Sequence, residues 1–446
     1  ENIIKVIGKF KDREDVVFAF VGDGSVKEKI EKYSNQNNLN NVKFIPYQPK
    51  EKLKYSLNSA DVHWVVNSKG IKGVSVPSKL YGVMAVGKPV LGVLDNGSEA
   101  RLILEDGTVF IGKAFGYLEE SVGEVVFNTS MIGYGEVLTD PSYYGQIVTM
   151  TYPLVGNYGI NLSSAESEKV QVKGFIVREK SDSPSNFRCE IDIDQYLKQN
   201  KVIGLEGIDT RALTKILRNN GTMKGIITLE DSKLEDVKHK LDKFSNTEAV
   251  RTVTRKEVEH IKGNGPKVAV MDFGVKRNIL RSFIARGCDI TIFPATTSPE
   301  DVLSINPDLI FLSNGPGDPE DLEDVIENIK ALIGKKPIVG ICLGHQLLAL
   351  ALGGKTAKLK FGHRGGNHPV KDLEEGKVFI TSQNHGYYVS EVPEQMKVTH
   401  INLNDNTVEG MRHEKLDVYS VQYHPEACPG PKDNDYIFDK FLELVK

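Results

Sequence analysis

Apolar and polar positions follow two different patterns along the chain. Over residues 1–99 and again over residues 267–446, short apolar runs such as VVFAF, KVAVM and DLIFL are separated by longer amphipathic stretches. This succession of strand and helix predicts an α/β chain, with a partial Rossmann-like fragment at its start and a doubly wound sheet at its end. Residues 100–244 lack the alternation and predict a mixed α/β domain, and the polar residues 245–266 predict a linker.

Two local patterns predict elements within the middle domain. The stretch ARLILEDGTVFIG predicts a hairpin that turns at Asp106 and Gly107. Farther along, apolar residues at helical spacing in TRALTKILRNN predict a helix that ends at Gly221.

The pattern around Cys342 predicts a sharp strand-to-helix turn. The apolar run 337–341 predicts a buried strand, and Leu347 with the apolar residues after it predicts a helix. Gly340 and Gly344 flank the cysteine as the glycines do in a Gly-x-Ser-x-Gly nucleophile elbow. A helix N-terminus favours a reactive thiolate, but free cysteine is also common in protein cores, so this segment alone leaves both interpretations open.

The totals of the chain exclude several classes of function. Its 446 residues carry 56 basic and 60 acidic side chains, and the formal charge of −4 gives no general attraction to nucleic acid or membranes. No apolar run approaches the roughly 18 residues that cross a bilayer. The four cysteines form no CxxC pair, so we expect neither a disulfide framework nor a bound metal, and we expect a cytoplasmic location. Because the chain begins at Glu1, we also expect a truncated start.

Two further loops of the doubly wound region carry candidate catalytic groups at the carboxyl ends of strands. The first is 314–319, NGPGDP, in which the missing side chain of Gly317 lets its backbone N–H approach an oxyanion. The second contains His424 and Glu426, which lie two residues apart in an extended segment and therefore point to the same side. Together with the cysteine they match the pattern of nucleophile, base and orienting acid.

The motifs GPGDP, GICLGHQ and YHPE occur in an order that is similar to that of class I glutamine amidotransferases. The phrases FNTSMIGYGEVLTDPSY and GIDTRALTKILRNNGTMKG resemble the N-terminal domain of the small subunit of carbamoyl phosphate synthetase, so residues 100–446 resemble that subunit as a whole. The resemblance implies hydrolysis of the glutamine side-chain amide. In that reaction Cys342 would attack the amide carbon, His424 would transfer protons and Glu426 would orient the histidine.

The same resemblance implies the glutamine-binding residues and the partner of the chain. Backbone N–H groups of Gly317 and Leu343 would bind the oxyanion. The implied glutamine contacts are Ser142, Gly315, Gly317, Leu343, Gln346, Asn384, Gly386 and Tyr387. Ammonia would pass through a tunnel to a carbamoyl phosphate synthetase large subunit, which uses ATP and Mg²⁺. The chain itself shows no P-loop or ATP-grasp pattern, so we expect no cofactor in it.

Three other features near these motifs are expected to have structural roles. His345, just beyond the elbow, is interpreted as a packing residue. The polar, glycine-rich segment FGHRGGNHPV is expected to form a loop that is structural or serves in docking. Cys428 is interpreted as a tolerated neighbour of Glu426.

The first 99 residues resemble a different family. The stretches GDGS, IPYQPKEKLKYSLNSADV and PSKLYGVMAVGKPVL resemble the nucleotide-sugar half of GT-B glycosyltransferases. Many relatives have a glutamate where this chain has Gly82, and the acceptor-binding half is missing. The turn at Gly22, Asp23 and Gly24 lacks the third glycine of a phosphate-binding motif. We therefore hypothesise that this fragment is a remnant or an assembly artefact.

Three alternatives are weighed against a carbamoyl phosphate synthetase glutaminase. A glutaminase for another acceptor, as in GMP or anthranilate synthesis, is disfavoured by the phrases in residues 100–244. A non-catalytic docking subunit is disfavoured by the intact set of Cys342, His424 and Glu426. A bifunctional glycosyltransferase fusion is the third alternative. The pathway that the product feeds and the effectors of the enzyme stay open.

Overall fold

The fold is seen in a computed structural model that describes residues 6–22, 27–66, 87–93 and 99–445. The chain divides into two compact units, 1–96 and 97–446, which are described separately. Asp23, Gly24 and Gly82 lie outside the described residues, as does most of the PSKLYGVMAVG stretch. Among the described helices, not one is long and apolar enough to cross a membrane.

The N-terminal unit consists of short parallel strand pairs and helices. Its elements are β1 Phe18–Val21, α1 Lys27–Gln36, β2 Val42–Ile45, α2 Leu53–Asn58, β3 His63–Val66 and β4 Val90–Val93. Strand β1 pairs with β2 and β3 pairs with β4, both in parallel. Ile7, Leu39 and Val42 form a small buried core, against which Phe18 and Trp64 pack. The parallel pairing agrees with the Rossmann-like fragment predicted for this part of the chain.

A closed barrel forms the first half of the second unit. Its elements are β5 Glu99–Leu104, β6 Val109–Gly116, β7 Ser121–Asn128, α3 Tyr134–Thr139, β8 Gln146–Met150, β9 Leu154–Val155, β10 Gly174–Val177, β11 Glu179–Lys180, α4 Ile193–Gln199, β12 Ile203–Glu206, α5 Thr210–Asn220, β13 Met223–Thr228 and α6 Leu234–Lys243. The barrel order is β10-β12-β6-β5-β13-β7-β8. Strands β5 and β6 form the predicted hairpin, and helix α5 ends at Gly221 as predicted.

A ten-stranded sheet with flanking helices forms the second half. The elements are α7 Ala249–Val253, β14 Glu259–Ile261, β15 Lys267–Asp272, α8 Arg277–Ala285, β16 Asp289–Pro294, α9 Pro299–Ser304, β17 Leu309–Leu312, α10 Glu323–Leu332, β18 Ile338–Ile341, α11 Leu343–Ala351, β19 Lys355–Asp372, β20 Val378–Glu391, β21 Met396–Asn402, β22 Val408–His413, β23 Val418–Val421 and α12 Ile437–Leu442. The sheet order is β14-β16-β15-β17-β18-β23-β22-β21-β19-β20. Strands β16, β15, β17, β18 and β23 run parallel, which confirms the predicted doubly wound domain.

Apolar layers cover both faces of the parallel strands. On one face Val325, Ile329 and Leu347 pack against the sheet, and on the other face Ile279 and Phe438 do so. Strands that are buried on both sides read as nearly continuous apolar runs, which is why the sequence pattern was clear here. The segment 245–266, expected to be a linker, contains helix α7 and the edge strand β14.

The glycine-rich segment FGHRGGNHPV is not a loop. It lies within the long strand β19, which pairs with β20 and shifts register near Gly362 and again after Gly365. Both glycines have positive φ, +74° and +147°, and such residues accommodate bulges within a strand. Polar composition suggested a loop, but the bulged hairpin pairs the segment with β20 and buries His363 and Arg364, while Asn367 stays exposed.

Candidate active site

The predicted elbow is present at the end of β18. Cys342 lies between this strand and α11 with φ +55° and ψ −104°, an unusual backbone conformation for a residue with a side chain. A Cβ atom on Gly344 would lie 2.2 Å from the carbonyl oxygen of Leu312, and one on Gly340 would lie 2.8 Å from Gly344 itself. Glycine is therefore required at both positions for the turn to pack against the sheet.

Cys342, His424 and Glu426 lie together in the interior. Their exposed fractions are 2%, 2% and 5%. Nδ1 of His424 is 2.6 Å from Oε1 of Glu426, while Nε2 of His424 is buried and has no hydrogen-bond partner within residues 99–445. The Cys342 thiol lies 3.7 Å from the carbonyl oxygen of Asn384. One ring nitrogen of His424 is thus oriented by a carboxylate, and the other can transfer a proton in a reaction.

The pKa of His424 is set by opposing effects. Burial of the imidazole lowers its pKa, but the Glu426 carboxylate and the Cys342 thiol beside it together raise the pKa to about 10. The imidazolium form is consequently favoured at neutral pH. The Cys342 thiol and the Glu426 carboxylate are therefore both neighbours of the His424 ring.

Lys276 is a member of the site that the sequence interpretation missed. Its Nζ donates to Oε1 of Glu426 at 2.8 Å and to the carbonyl oxygen of Ala427 at 2.9 Å, and the lysine is 3% exposed. Burial would raise the pKa of Glu426, but Lys276 and His424 outweigh it and lower the pKa to about 2. Glu426 therefore stays ionised and can orient His424. The one available signal was a lysine just after the carboxyl end of β15.

A cavity of about 330 Å³ opens above the cysteine. Its lining includes Cys342, residues from the GPGDP loop and residues from the barrel domain. All the predicted glutamine-binding residues except Leu343 line it, namely Ser142, Gly315, Gly317, Gln346, Asn384, Gly386 and Tyr387. Leu343 is the first residue of α11, where the backbone N–H has no partner within the helix. The volume falls in the range of small-molecule sites.

The two halves of the second unit meet at this cavity through Asp140 and Ser142. Oδ1 of Asp140 accepts from the backbone N–H of Ser142, and its Oδ2 accepts from Nδ2 of Asn384, both at 2.9 Å. The Ser142 hydroxyl accepts from Nδ2 of Asn314 at 2.8 Å. Asp140 was not among the predicted residues, because the sequence gives no indication that the DPSY turn contacts a strand some 240 residues later.

The GPGDP loop fits tightly against the strand beside it. A Cβ atom on Gly315 would lie 2.3 Å from the carbonyl oxygen of Phe273, and Gly317 has φ +91°. Gln346 lies on α11 and donates to the carbonyl oxygen of Tyr387 at 2.8 Å, which holds the wall of the cavity formed by β20. His345 is fully buried, and its Nδ1 lies 2.9 Å from the hydroxyl of Ser420, away from the cavity lining.

His363, His385 and Glu409 come closest to a metal site among the described residues. One possible ligand atom from each lies within 4.8 Å of the others. Both ring nitrogens of His385 face carbonyl oxygens, one of them on Gln383 at 3.0 Å, and the amide nitrogen of Gln383 donates to Glu409 at 2.9 Å. Two of the three groups, His385 and Glu409, are thus already hydrogen-bonded, while Nδ1 of His363 is buried and has no hydrogen-bond partner within residues 99–445.

Comparison with known families agrees with this geometry. The family model for glutamine amidotransferase class-I matches residues 269–444, and the model for the CPSase domain of the carbamoyl-phosphate synthase small chain matches residues 102–227. A third model, glycosyl transferases group 1, matches residues 1–115. All three matches agree with the resemblances predicted from the sequence motifs.

Two small chains of carbamoyl phosphate synthase give the same result. The chain is 68% identical over 347 residues to the carbamoyl phosphate synthase small chain of Clostridium perfringens, covering 78% of this chain and 99% of that one. It is 51% identical over 351 residues to the pyrimidine-specific small chain of Bacillus subtilis, covering 78% and 96%. A solved glutamine amidotransferase from Thermotoga maritima matches 40% of this chain and 85% of its own, with 18% identity and a TM-score of 0.31. The chain belongs to the family of carbamoyl phosphate synthase small chains and carries a class I glutamine amidotransferase domain.

Proposed function

We propose that this chain hydrolyses the side-chain amide of glutamine and supplies the ammonia to a large chain that makes carbamoyl phosphate. The observation that carries the proposal is the buried set of Cys342, His424 and Glu426, in which the cysteine also lines the larger cavity. The family relationship adds the acceptor, since the relatives are small chains of carbamoyl phosphate synthase. The free thiol of Cys342 suits a reducing cytoplasm.

The first half of the reaction would release ammonia. The proton of the Cys342 thiol resides on Nε2 of His424, which is the imidazolium form that the site favours, and the sulfur forms a bond to the amide carbon of glutamine. The amide oxygen becomes an oxyanion next to the backbone N–H groups of Gly317 and Leu343. The imidazolium then protonates the leaving nitrogen, the C–N bond breaks, and a γ-glutamyl thioester is left on the cysteine.

The second half would restore the enzyme. Water attacks the thioester carbon while Nε2 of His424 accepts its proton, and the C–S bond breaks as the sulfur regains a proton from the imidazolium. Glu426 keeps its charge throughout because Lys276 pairs with it. Nothing in this sequence of steps requires ATP, and we propose that ATP and Mg²⁺ bind the large chain.

A second, smaller cavity supports an exit route for ammonia. Its lining contains His424 and also Ser130 and Pro429. Beside Ser130, the side chains of Met131 and Ile132 are 67% and 65% exposed. Two adjacent apolar residues with such exposure favour a protein interface. We infer that the large chain docks over this loop and receives ammonia there.

Replacement of the nucleophile tests the hydrolysis. Cys342→Ser should release no ammonia from glutamine, yet keep its melting temperature and its binding to the large chain. Cys428→Ser is the matched control, because Cys428 lies outside the lining of the larger cavity and should keep activity within about two-fold. Ammonia release by the Cys342→Ser variant at the rate of the unaltered chain would contradict the proposal.

A double substitution tests the docking loop. Met131→Asp with Ile132→Asp should lower glutamine-dependent carbamoyl phosphate formation in the complex, while formation from added ammonia continues. Phe187→Asp is the control, since Phe187 is 91% exposed but lies elsewhere in the chain. Equal loss in the control, or no loss in the double variant, would place the large chain on another surface.

A further inference from the structure

Glu166 is a buried carboxylate that the mechanism above does not use. It belongs to the segment that precedes β10 in the barrel domain and has an exposed fraction of 0%. Its backbone N–H donates to Oγ1 of Thr139 at 2.9 Å, next to the Asp140 turn of the cavity. A fully buried acid side chain needs specific partners to offset its desolvation, so its surroundings indicate what it does.

The partners of Glu166 lie at the start of helix α8 in the amidotransferase domain. Its carbonyl oxygen accepts from the backbone N–H of Arg277 at 2.9 Å. Its carboxylate accepts from the backbone N–H of Asn278 at 3.0 Å and from the Asn278 side-chain amide. Lys276, the N-cap residue of this helix, makes no side-chain cap bond of its own. Glu166 therefore caps α8 from the other domain, directly beside Lys276.

Glu166 and Glu426 both act on the charge of Lys276. Burial of the lysine lowers its pKa, but the charges of Glu426, Glu166 and Asp140 outweigh burial and raise it. Lys276 and His424 both bind Oε1 of Glu426, so the positive charge of the lysine disfavours the imidazolium form of the histidine. With Glu166 ionised, more of that positive charge is offset and the imidazolium is stabilised.

We propose that Glu166 is a positioning residue of the barrel domain, which orients Lys276 and thereby regulates the strength with which Glu426 holds the catalytic His424. The inference rests on the proposed glutaminase function. In this proposal the barrel domain does more than form one wall of the glutamine cavity. It also supplies a charge that acts on His424 through Lys276 and Glu426.

The ionisation of Glu166 makes the proposal pH-dependent. Burial raises its pKa, and Lys276 only partly opposes this, so the pKa is about 7. Glu166 is thus neutral in mild acid and charged in mild base. The charged and titratable groups around it, taken from every neighbouring segment, are Glu136, Asp140, Lys276, Arg277, Arg281, Glu426, Cys428 and Lys432.

The test compares Glu166→Gln with the unaltered full chain. The variant should lose about 2- to 30-fold in kcat for glutamine hydrolysis, with KM unchanged within two-fold, because the glutamine contacts are untouched. On the basic side of the pH profile, kcat falls as the His424 imidazolium loses its proton. This decline should begin at a lower pH in the variant than in the unaltered chain. The two proteins should converge below about pH 6, where Glu166 is neutral in the unaltered chain as well. Glu166→Asp should recover part of the loss.

A merely structural cap would behave differently. Asp192→Asn is the matched control, because Asp192 caps α4 of the barrel domain by accepting from the backbone N–H of Gln195 at 2.9 Å. If Glu166→Gln only lowers the melting temperature as this control does, or raises KM with the pH profile unchanged, the positioning role is refuted.

A measurement that needs no turnover separates this proposal from the proposed function. The titration of His424 can be followed by NMR of histidine-labelled full-length chain, with its signal assigned from a His424→Asn variant. Its pKa should be lower in Glu166→Gln than in the unaltered chain. An unchanged His424 titration overturns the role of Glu166 even if glutaminase activity is present. An unaltered chain that releases no more ammonia than Cys342→Ser overturns the proposed function instead.

Discussion

Removal of the Lys276 charge should damage both stability and catalysis. Lys276→Met keeps most of the side-chain volume but leaves Glu426 as a buried carboxylate without its cation. The lysine makes two hydrogen bonds, one of them to a charged group, and breaking such a buried pair typically costs about 3 to 5 kcal/mol. We expect a loss of unfolding free energy of this size at neutral pH and a clear fall in glutaminase kcat.

The pH dependence of that loss gives a sharper test. In the unaltered chain the pKa of Glu426 is lowered to about 2, so its contribution to stability is present above the pKa of an ordinary glutamate and disappears as the pH falls towards 2. Without Lys276, burial dominates, the pKa of Glu426 rises, and the carboxylate becomes protonated at higher pH. The destabilisation should therefore be large at pH 7 and smaller at pH 4.

Thermal unfolding of residues 97–446 at several pH values, together with ammonia release from glutamine, measures both effects. Lys335→Met, at a more exposed position, is the control and should change neither quantity. A Lys276→Met variant that differs from the unaltered chain by less than about 0.5 kcal/mol at pH 7, the size of an ordinary surface substitution, would refute the reasoning.

Three further predictions concern the elbow, the domain contact and the first unit. Gly344→Ala should prevent correct folding of the amidotransferase domain, since its Cβ would lie 2.2 Å from a carbonyl oxygen of Leu312; circular dichroism and the yield of folded protein measure this. Asp140→Asn should raise KM for glutamine about 10- to 100-fold, because it holds Ser142 and Asn384 by charge-assisted hydrogen bonds, and steady-state kinetics will show whether kcat changes less than KM. Residues 97–446 alone should match the full chain in kcat and KM, and loss of activity would indicate a role for the first unit.

The sequence predicted most clearly those features that arise from neighbouring residues. The elbow depends on glycines placed beside Cys342, and the helix after it on apolar spacing, so both could be inferred without tertiary contacts. The same holds for the hairpin between β5 and β6 and for the end of α5 at Gly221. The glycine-rich part of β19 was misinterpreted because its burial depends on pairing with β20, which polar composition does not reveal.

By itself the sequence determined the family, the doubly wound sheet and the candidate nucleophile segment, because motif order and local periodicity are properties of the linear chain. Only the tertiary structure brought Lys276 to Glu426 across 150 residues, Asp140 to Asn384 across 244, and Glu166 to the start of α8 across 112. The physical reason is that these contacts depend on burial. Inside the protein an ionised group needs a partner of opposite charge or a hydrogen-bond donor, and which group meets it is decided by how the domains pack.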